Sequence, residues 1–377
     1  MDLYNKTSKA ARVGEIYNLD HFRLAWKNPG HSRLMGNESV YPPSPKVIHA
    51  VINVLTSANY YAEDSLTNQE LREKLAGYVG LPGYADWVTL GNGSMEIIDM
   101  VYRAFIEEGD EVLLPTPDYS PYARRTAIYG GKVIDVLPGE DFSYTTESFT
   151  KLITPRTKVI LASSPNNPTG FMLSKKTVEE LCSTGLVIVI DEAYVEFGDY
   201  TFDELVVAHP NLIISHTFSK AMGLAGIRLG FTITGPELTC YLNRVRTPLN
   251  TSLVAYAAAM AAIDDIGYIH DNVWKVVRDR QYFAEEVAKL PGLVPIPSQG
   301  NFVLINCAET GIPASEFAKQ LFNAGYIVRD FVNGRGLPGN QYFRVTIGTH
   351  KDVEGVLSTI RNLIQDRNAL QATSSTA

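Results

Sequence analysis

Six short runs of this chain, EVLLP, KVIDVL, KVILAS, LVIVIDE, NLIISHT and RLGFTIT, are rich in Val, Ile and Leu, and several are apolar from end to end. A strand with one wet face alternates apolar and polar residues, so a strand apolar throughout has to be covered on both faces. Ahead of these runs lie KVIHAVINVL, NQELREKLAGYV and MEIIDMVYRAF, whose apolar residues recur at helical spacing. That rhythm predicts an α/β core, a mainly parallel central sheet flanked by helices. After about residue 250 the rhythm changes: a helical tract from Leu253 to Leu290, the strand NFVLIN, a helix, the runs GYIVRD and YFRVTIG, and a last helix. This predicts a smaller α+β domain, joined in space by the N-terminal segment. The expected division is residues 1–45 packing with the small domain, 46–255 as the large domain, 256–370 as the small domain, and the polar tail QATSSTA at 371–377 as disordered.

Composition excludes several classes of function. With 377 residues, 45% hydrophobic and 20% charged, the chain can bury a large core. Its 33 basic against 41 acidic residues leave a net charge of −8, and no basic run offsets this, which argues against nucleic acid as a partner. No apolar stretch approaches the roughly 18 residues of a membrane span, and the opening MDLYNKTSKAARVGEIYNLDH lacks the apolar segment of a secretory signal. A cytoplasmic location, away from membranes, is the expectation. Cys182, Cys240 and Cys307 lie far apart with no CxxC pair, so neither a disulfide framework nor a metal site is indicated.

Three segments carry candidate chemistry. In LVIVIDEAYVEF an apolar strand delivers Asp191 to its carboxyl end, where open α/β sheets bind ligands; alone, such an acid is more often a loop or helix-capping residue. In SSPNNPTG, Asn167 follows the strand KVILAS in what is otherwise a turn composition. In SHTFSKAMGLAGIRLGF, Lys220 stands beside Ala221, Gly223, Ala225 and Gly226, a close-packed place for an ammonium. GNGSMEIIDM, from Gly91, is a glycine-rich entry to a helix whose backbone N–H groups suit a phosphate, although it has neither the Walker lysine nor GxGxxG. Each feature has an ordinary structural reading. Together, a lysine, an aspartate and an asparagine at one edge of one sheet meet the needs of pyridoxal 5'-phosphate. That cofactor requires an amine for its aldehyde, a carboxylate for its pyridine nitrogen, a donor to its phenolic oxygen and a phosphate cup.

The chain resembles the fold-type I, aspartate-aminotransferase-like pyridoxal-phosphate enzymes over nearly its whole length, with SSPNNPTG, DEAYVEF, HTFSKAMGLAGIRLGF and YFRVTIGT in the family's order. The resemblance implies that Lys220 bonds the cofactor and moves the Cα proton, that Asp191 pairs with the pyridinium, and that Tyr194 and Asn167 hydrogen-bond the phenolic oxygen. Tyr119 would stack on the ring. Gly93, Ser94, Met95, Ser219 and Arg228 would border the phosphate, with Thr217 a nearby structural hydroxyl. Arg344 would grip the substrate's carboxylate with its two-pronged guanidinium.

Among subgroups the chain is most similar to histidinol-phosphate aminotransferases, through GNESVYPPSPKV, QGNFVLI and GYIVRDFVNGRGLPGNQYFRVTIGT. There the resemblance assigns Arg329 to the substrate's phosphate and Asn37 to the substrate side. It implies transamination from an amino acid or amino-phosphate donor to an oxo acid, 2-oxoglutarate, and a homodimer in which Tyr61, or Tyr60, reaches the neighbouring subunit's cofactor phosphate. The chain departs from the subgroup at Asn37 to Pro45, at YYAED, at Met95 and in the lead-in YNLDHFRLAWKNPGHSRLM. Decarboxylation or cyclisation on the same fold stays open. A nicotinamide dehydrogenase is disfavoured by the missing GxGxxG, and a cofactor-sensing regulator by the lack of a DNA-binding module.

Overall fold

The computed structural model describes residues 3–13, 18–64, 68–332 and 334–374. Its centre is a seven-stranded sheet, in spatial order Val88–Gly91, Gly230–Thr234, Leu212–Thr217, Val187–Asp191, Thr157–Ser163, Glu111–Pro115 and Lys132–Val136. Gly230–Thr234 runs antiparallel to both of its neighbours, and the other pairings are parallel. Val88–Gly91 was not expected as a strand, because VTLG is too short to show a period.

The apolar runs are covered on both faces, as their composition requires. Ile160, Ile188, Ile190, Leu212 and Ile214 enter one core cluster with Leu71 and Leu75 of the helix Gln69–Tyr78 and Val178 and Leu181 of the helix Lys175–Cys182. Val159, Leu161, Val189 and Ile213, the alternate positions, enter a second cluster with Ile97 and Val101 of the helix Ser94–Phe105 and Leu238 and Leu242 of the helix Pro236–Val245. At about 1.5–3 kcal/mol for each buried Val, Leu or Ile, this two-sided burial is what fixes the strands in one register.

A four-stranded antiparallel sheet, in spatial order Arg329–Asp330, Tyr342–Thr346, Phe302–Asn306 and Val294–Pro295, forms the second layer system with the helices Ala314–Asn323 and His350–Ser374. The run GYIVRD, expected as one strand, is split at Val328. Tyr326–Ile327 pairs in parallel with Ser32–Arg33, while Arg329–Asp330 pairs with Tyr342–Thr346. This pairing stitches residues 32–37 to the second sheet and carries Gly36 and Asn37 to the front of the first; Leu34 N–H donates to Ile327 O and Thr346 N–H to Leu34 O.

Three boundaries differ from expectation. The N-terminal segment is divided, because the helix Lys9–Val13 packs against Pro121–Ile128 beside the large sheet, with Lys9 paired to Glu108. The tract from Leu253 breaks into Leu253–Ile263 and Ile266–Ala288. Asp264 and Asp265 sit at the break, paired with Lys74 and Lys46, and the proposed limit at 255/256 falls inside the first of these helices. The last helix runs through Ser374, so residues 371–374 of the expected disordered tail are helical, in keeping with the helix formers Ala369, Leu370, Gln371 and Ala372; residues 375–377 lie outside the described residues. Among the described residues no helix is long and apolar enough to cross a membrane, and Cys182, Cys240 and Cys307 are free thiols.

Candidate active site

A cleft of about 650 Å³ opens along the carboxyl edge of the large sheet and is walled on its far side by the second sheet. Parallel strands deliver their following loops to a common edge, which brings Ser94, Tyr119, Asn167, Asp191 and Lys220 together from five separate strands. Arg228 reaches the same edge from the other direction, since it precedes the antiparallel strand Gly230–Thr234.

Lys220 Nζ donates to Gly36 O at 3.0 Å and lies 5.5 Å from the centroid of the Tyr194 ring. Asp191 is 3% exposed, and its Oδ2 accepts a hydrogen bond from the Tyr122 hydroxyl at 2.6 Å. Burial pushes the Asp191 pKa up, and the Tyr122 bond and the charge of His216 oppose this. Among the described residues its Oδ1 is buried with no hydrogen-bond partner, although the Ala193 backbone also helps to hold the carboxyl charged. An orphaned carboxylate oxygen costs roughly 1–3 kcal/mol or more unless a ligand supplies a donor, and a charged ring N–H is the donor that would also keep this carboxylate ionised. Tyr122, which sequence reasoning missed, is held protonated by burial and by the Asp191 charge beside it, so it can only donate there.

The anion cradle lies at the entrance of the helix Ser94–Phe105, where free backbone N–H groups face outward. Gly93 has φ 79°, a left-handed backbone that strains any side chain, and a Cβ there would also push Arg228 Nη2, 2.5 Å away, out of its place. Gly230 is equally constrained, since its Cβ would meet Ser94 N at 2.7 Å. Arg228 itself adopts φ 61°, with Nη1 donating to Ala225 O at 3.0 Å and to Ser219 Oγ at 3.5 Å. Thr217 Oγ1 donates to Ser219 Oγ at 3.0 Å, and Met95 lines the adjoining wall. Tyr119 lines the cleft and meets Tyr122 edge-on at 5.4 Å.

The far wall comes from the second sheet. Arg344 is buried, with Nη2 donating to Met35 O at 2.6 Å and Nη1 to Asn167 Oδ1. Asn37, in left-handed backbone at φ 52°, donates from Nδ2 to the Tyr194 hydroxyl at 3.0 Å, while its own Oδ1 accepts from Thr346 at 2.8 Å. Asn37 therefore orients Tyr194, a link the sequence did not suggest. Arg329 lines the cleft with Nη1 against His21 Nδ1 at 2.5 Å. Two further cleft arginines are neutralised: Arg33 by Glu38 at 2.9 Å, and Arg335 by Asp118 at 3.1 Å and by Asp135. Tyr60 and Tyr61 are not brought to the cleft of this chain; Tyr61 is 86% exposed.

An amine, an orphaned buried carboxylate and a helix-entry anion cradle on one edge of a mainly parallel sheet fit pyridoxal phosphate at every polar position and define a fold-type I enzyme. The chain belongs to the aminotransferase class I and II family, whose model matches residues 33–360. It is a pyridoxal-phosphate-dependent aminotransferase. It is 36% identical over 326 residues to a histidinol-phosphate aminotransferase of Methanosarcina mazei, covering 86% of each chain. With the enzyme of that name from Methanothermobacter thermautotrophicus it shares 33% over 338 residues, 88% of this chain and 89% of the other. Among solved structures, histidinol-phosphate aminotransferase from Sinorhizobium meliloti in complex with pyridoxal-5'-phosphate superposes with a TM-score of 0.85 at 24% identity, covering 96% of this chain and 98% of that one. Aspartate aminotransferase from Thermus thermophilus with maleate gives 0.80 at 22%, covering 94% and 99%.

Proposed function

We propose that the enzyme moves the amino group of a phosphate-bearing donor of the histidinol-phosphate kind to a dicarboxylic oxo acid, 2-oxoglutarate. One observation carries this reading: Arg329 and Arg344 are direct cross-strand partners, and both line the cleft. Like charges placed opposite each other on neighbouring strands repel, and an anionic ligand reaching both would relieve that repulsion. A phosphate monoester brings about −1.5 to −2 charge and a dicarboxylate brings two, so each half-reaction presents a dianion to the same two guanidinium groups. Two of the relatives above carry the name of such a donor.

When bound, the cofactor supplies an aldehyde for the amino group and a ring that takes up the electron pair released at Cα. The chain's own residues do the rest. Lys220 would take the Cα proton and return it, Asp191 would hold the ring nitrogen, and Tyr194 and Asn167 would hold the phenolic oxygen. Tyr119 would lie against the ring, and Gly93, Ser94, Met95, Ser219 and Arg228 would hold the cofactor's phosphate. Arg344 and Arg329 hold the substrate's anions, while Asn37 keeps Tyr194 in place.

A donor screen with 2-oxoglutarate tests the reading. Histidinol phosphate is expected to outrun aromatic and aliphatic amino acids. Arg329→Ala should raise its KM about tenfold to a hundredfold, the worth of a charge-assisted hydrogen bond. A wild type inert toward histidinol phosphate but active with an unphosphorylated amino acid refutes the donor assignment.

The reading includes a homodimer with shared sites, acting in the cytoplasm. Ile48, Ile52 and Leu55 recur at helical spacing along Pro45–Val54 and its extension and are exposed, as are Tyr60 and Tyr61 close by. A second copy on this face would cover the apolar row and bring Tyr61 to a neighbouring cradle. Tyr61→Ala is expected to lose about tenfold to a hundredfold in activity through the lost phosphate contact. Mixing it with an inactive Lys220→Ala chain should restore turnover in heterodimers, because one of their two sites keeps both residues. No recovery, with Tyr60→Ala giving it instead, would move the role to Tyr60; a fully active monomer ends the proposal.

A further inference from the structure

Within the lead-in where the chain departs from the subgroup pattern, residues 20–27 form the helix Asp20–Lys27, which roofs the cleft with His21, Phe22 and Trp26. His21 is inserted between two neighbours on one strand. Its Nδ1 lies 2.5 Å from Arg329 Nη1, and its Nε2 lies 3.2 Å from Asp330 Oδ1. A guanidinium can only donate, so Nδ1 must be the acceptor and carry no proton. The ring proton then sits on Nε2 and is donated to Asp330. The ring thus bridges the Arg329 guanidinium on one edge and the Asp330 carboxylate on the other.

This arrangement has an electrostatic consequence. Arg33 and Arg335, in the same cleft, face carboxylates that cancel their charge. Arg329 faces the His21 ring, while the nearby carboxylate of Asp330 is engaged by the other edge of that ring, its pKa held down mainly by that hydrogen bond, with the Arg329 charge the smallest contribution; among the described residues Arg329 makes no ion pair. Its guanidinium is therefore aimed by one hydrogen bond and lies 6.0 Å from the centroid of the Phe331 ring, on the wall of the cleft.

We propose that His21 is a positioning residue for the substrate's anion, holding Arg329 toward the cleft and keeping Asp330 from neutralising it, so that the N-terminal helix is part of the specificity apparatus. The inference rests on the assignment of Arg329 to a substrate anion made above. It follows that changes at His21 act through Arg329 and on anion binding, not on the proton transfers of the reaction.

The test compares His21→Ala, His21→Asn, Arg329→Ala and the His21→Ala/Arg329→Ala double variant in the full-length, cofactor-loaded enzyme. KM and kcat are measured for histidinol phosphate and for alanine, and histidinol phosphate binding is followed by calorimetry. His21→Ala is expected to raise both KM and Kd for histidinol phosphate about threefold to tenfold, the effect of losing one hydrogen bond, with kcat within about twofold and a clearly smaller change in KM for alanine. His21→Asn, whose amide oxygen can stand where Nδ1 stood, should recover most of the loss. In the Arg329→Ala background the His21 change should add nothing, since coupled residues do not add. Equal losses for both donors, no recovery with Asn, or full additivity overturns the proposal in favour of a merely structural roof. If histidinol phosphate neither binds nor reacts with the wild type, the donor assignment fails by itself. The same four proteins are then compared on KM for 2-oxoglutarate, where an Arg329-dependent effect of His21 sustains the inference and its absence ends it.

Discussion

Lys220→Ala should abolish turnover, by at least about 10⁴-fold, while the protein still folds. The magnitude follows from the two tasks the proposed reading gives to one atom: Nζ would bond the cofactor and then carry the Cα proton, and general acid–base transfer alone contributes about 10²–10⁴. Lys220 holds Nζ on Gly36 O at 3.0 Å and beside the Tyr194 ring, and no other lysine lines the cleft among the described residues. Lys220→Arg should be as inactive as Lys220→Ala, because a guanidinium keeps its protons and can form no such bond. Borohydride treatment of the wild type should fix the cofactor on the peptide containing Lys220. Activity of either variant within tenfold of wild type, or the label on another lysine, would remove Lys220 from the chemistry.

His216→Leu should cost about 3–5 kcal/mol of stability at pH 6, the penalty for removing one partner of a buried ion pair. His216 Nε2 lies 2.7 Å from Asp203 Oδ1 and 3.6 Å from Glu192 Oε2, with all three side chains buried and the ring stacked on Phe231. Burial by itself would lower the imidazole pKa. The charge and hydrogen bond of Asp203, with the charges of Glu192 and Glu196, outweigh this and raise it to about 9. A folded pKa above the ordinary value of 6.5 means that the contribution is complete below pH 6.5 and is lost as pH rises through about 9. The gap between wild type and variant should therefore narrow over that window in urea unfolding at pH 6, 7.5 and 9.5. A variant within 1 kcal/mol of wild type at pH 6, or a gap that widens with pH, would show that His216 is not held as a cation. Leucine leaves Asp203 buried without its counter-charge and beside Glu192, whose own pKa burial and the Asp203 charge push up to about 8, which is why so large an effect is expected of a residue outside the cleft.

The sequence by itself determined the central sheet, because burial on both faces writes an apolar run that any reading of periodicity finds. It also determined the ends of those strands, and so puts Lys220, Asp191 and Asn167 at one edge of the sheet. Parallel strands make that inference safe: successive carboxyl ends fall on the same side, whatever the order of strands. Short or interrupted elements escaped it. VTLG is only four residues, and GYIVRD has no local signal that Val328 passes the chain from one sheet to another.

Only the tertiary structure decided who touches whom at the site. Tyr122 meets Asp191 across 69 residues, Asn37 meets Tyr194 across 157, and His21 meets Arg329 across 308. Arg335, a lone basic residue in a glycine-rich loop, is matched to Asp118 across 217 residues. None of these partners differs in sequence from an ordinary tyrosine, asparagine, histidine or aspartate. Periodicity is local and records which face of an element is buried. The pairing of polar side chains depends on strand order, register and the docking of the N-terminal segment on the second sheet, and those are set by the packing of the whole chain at once.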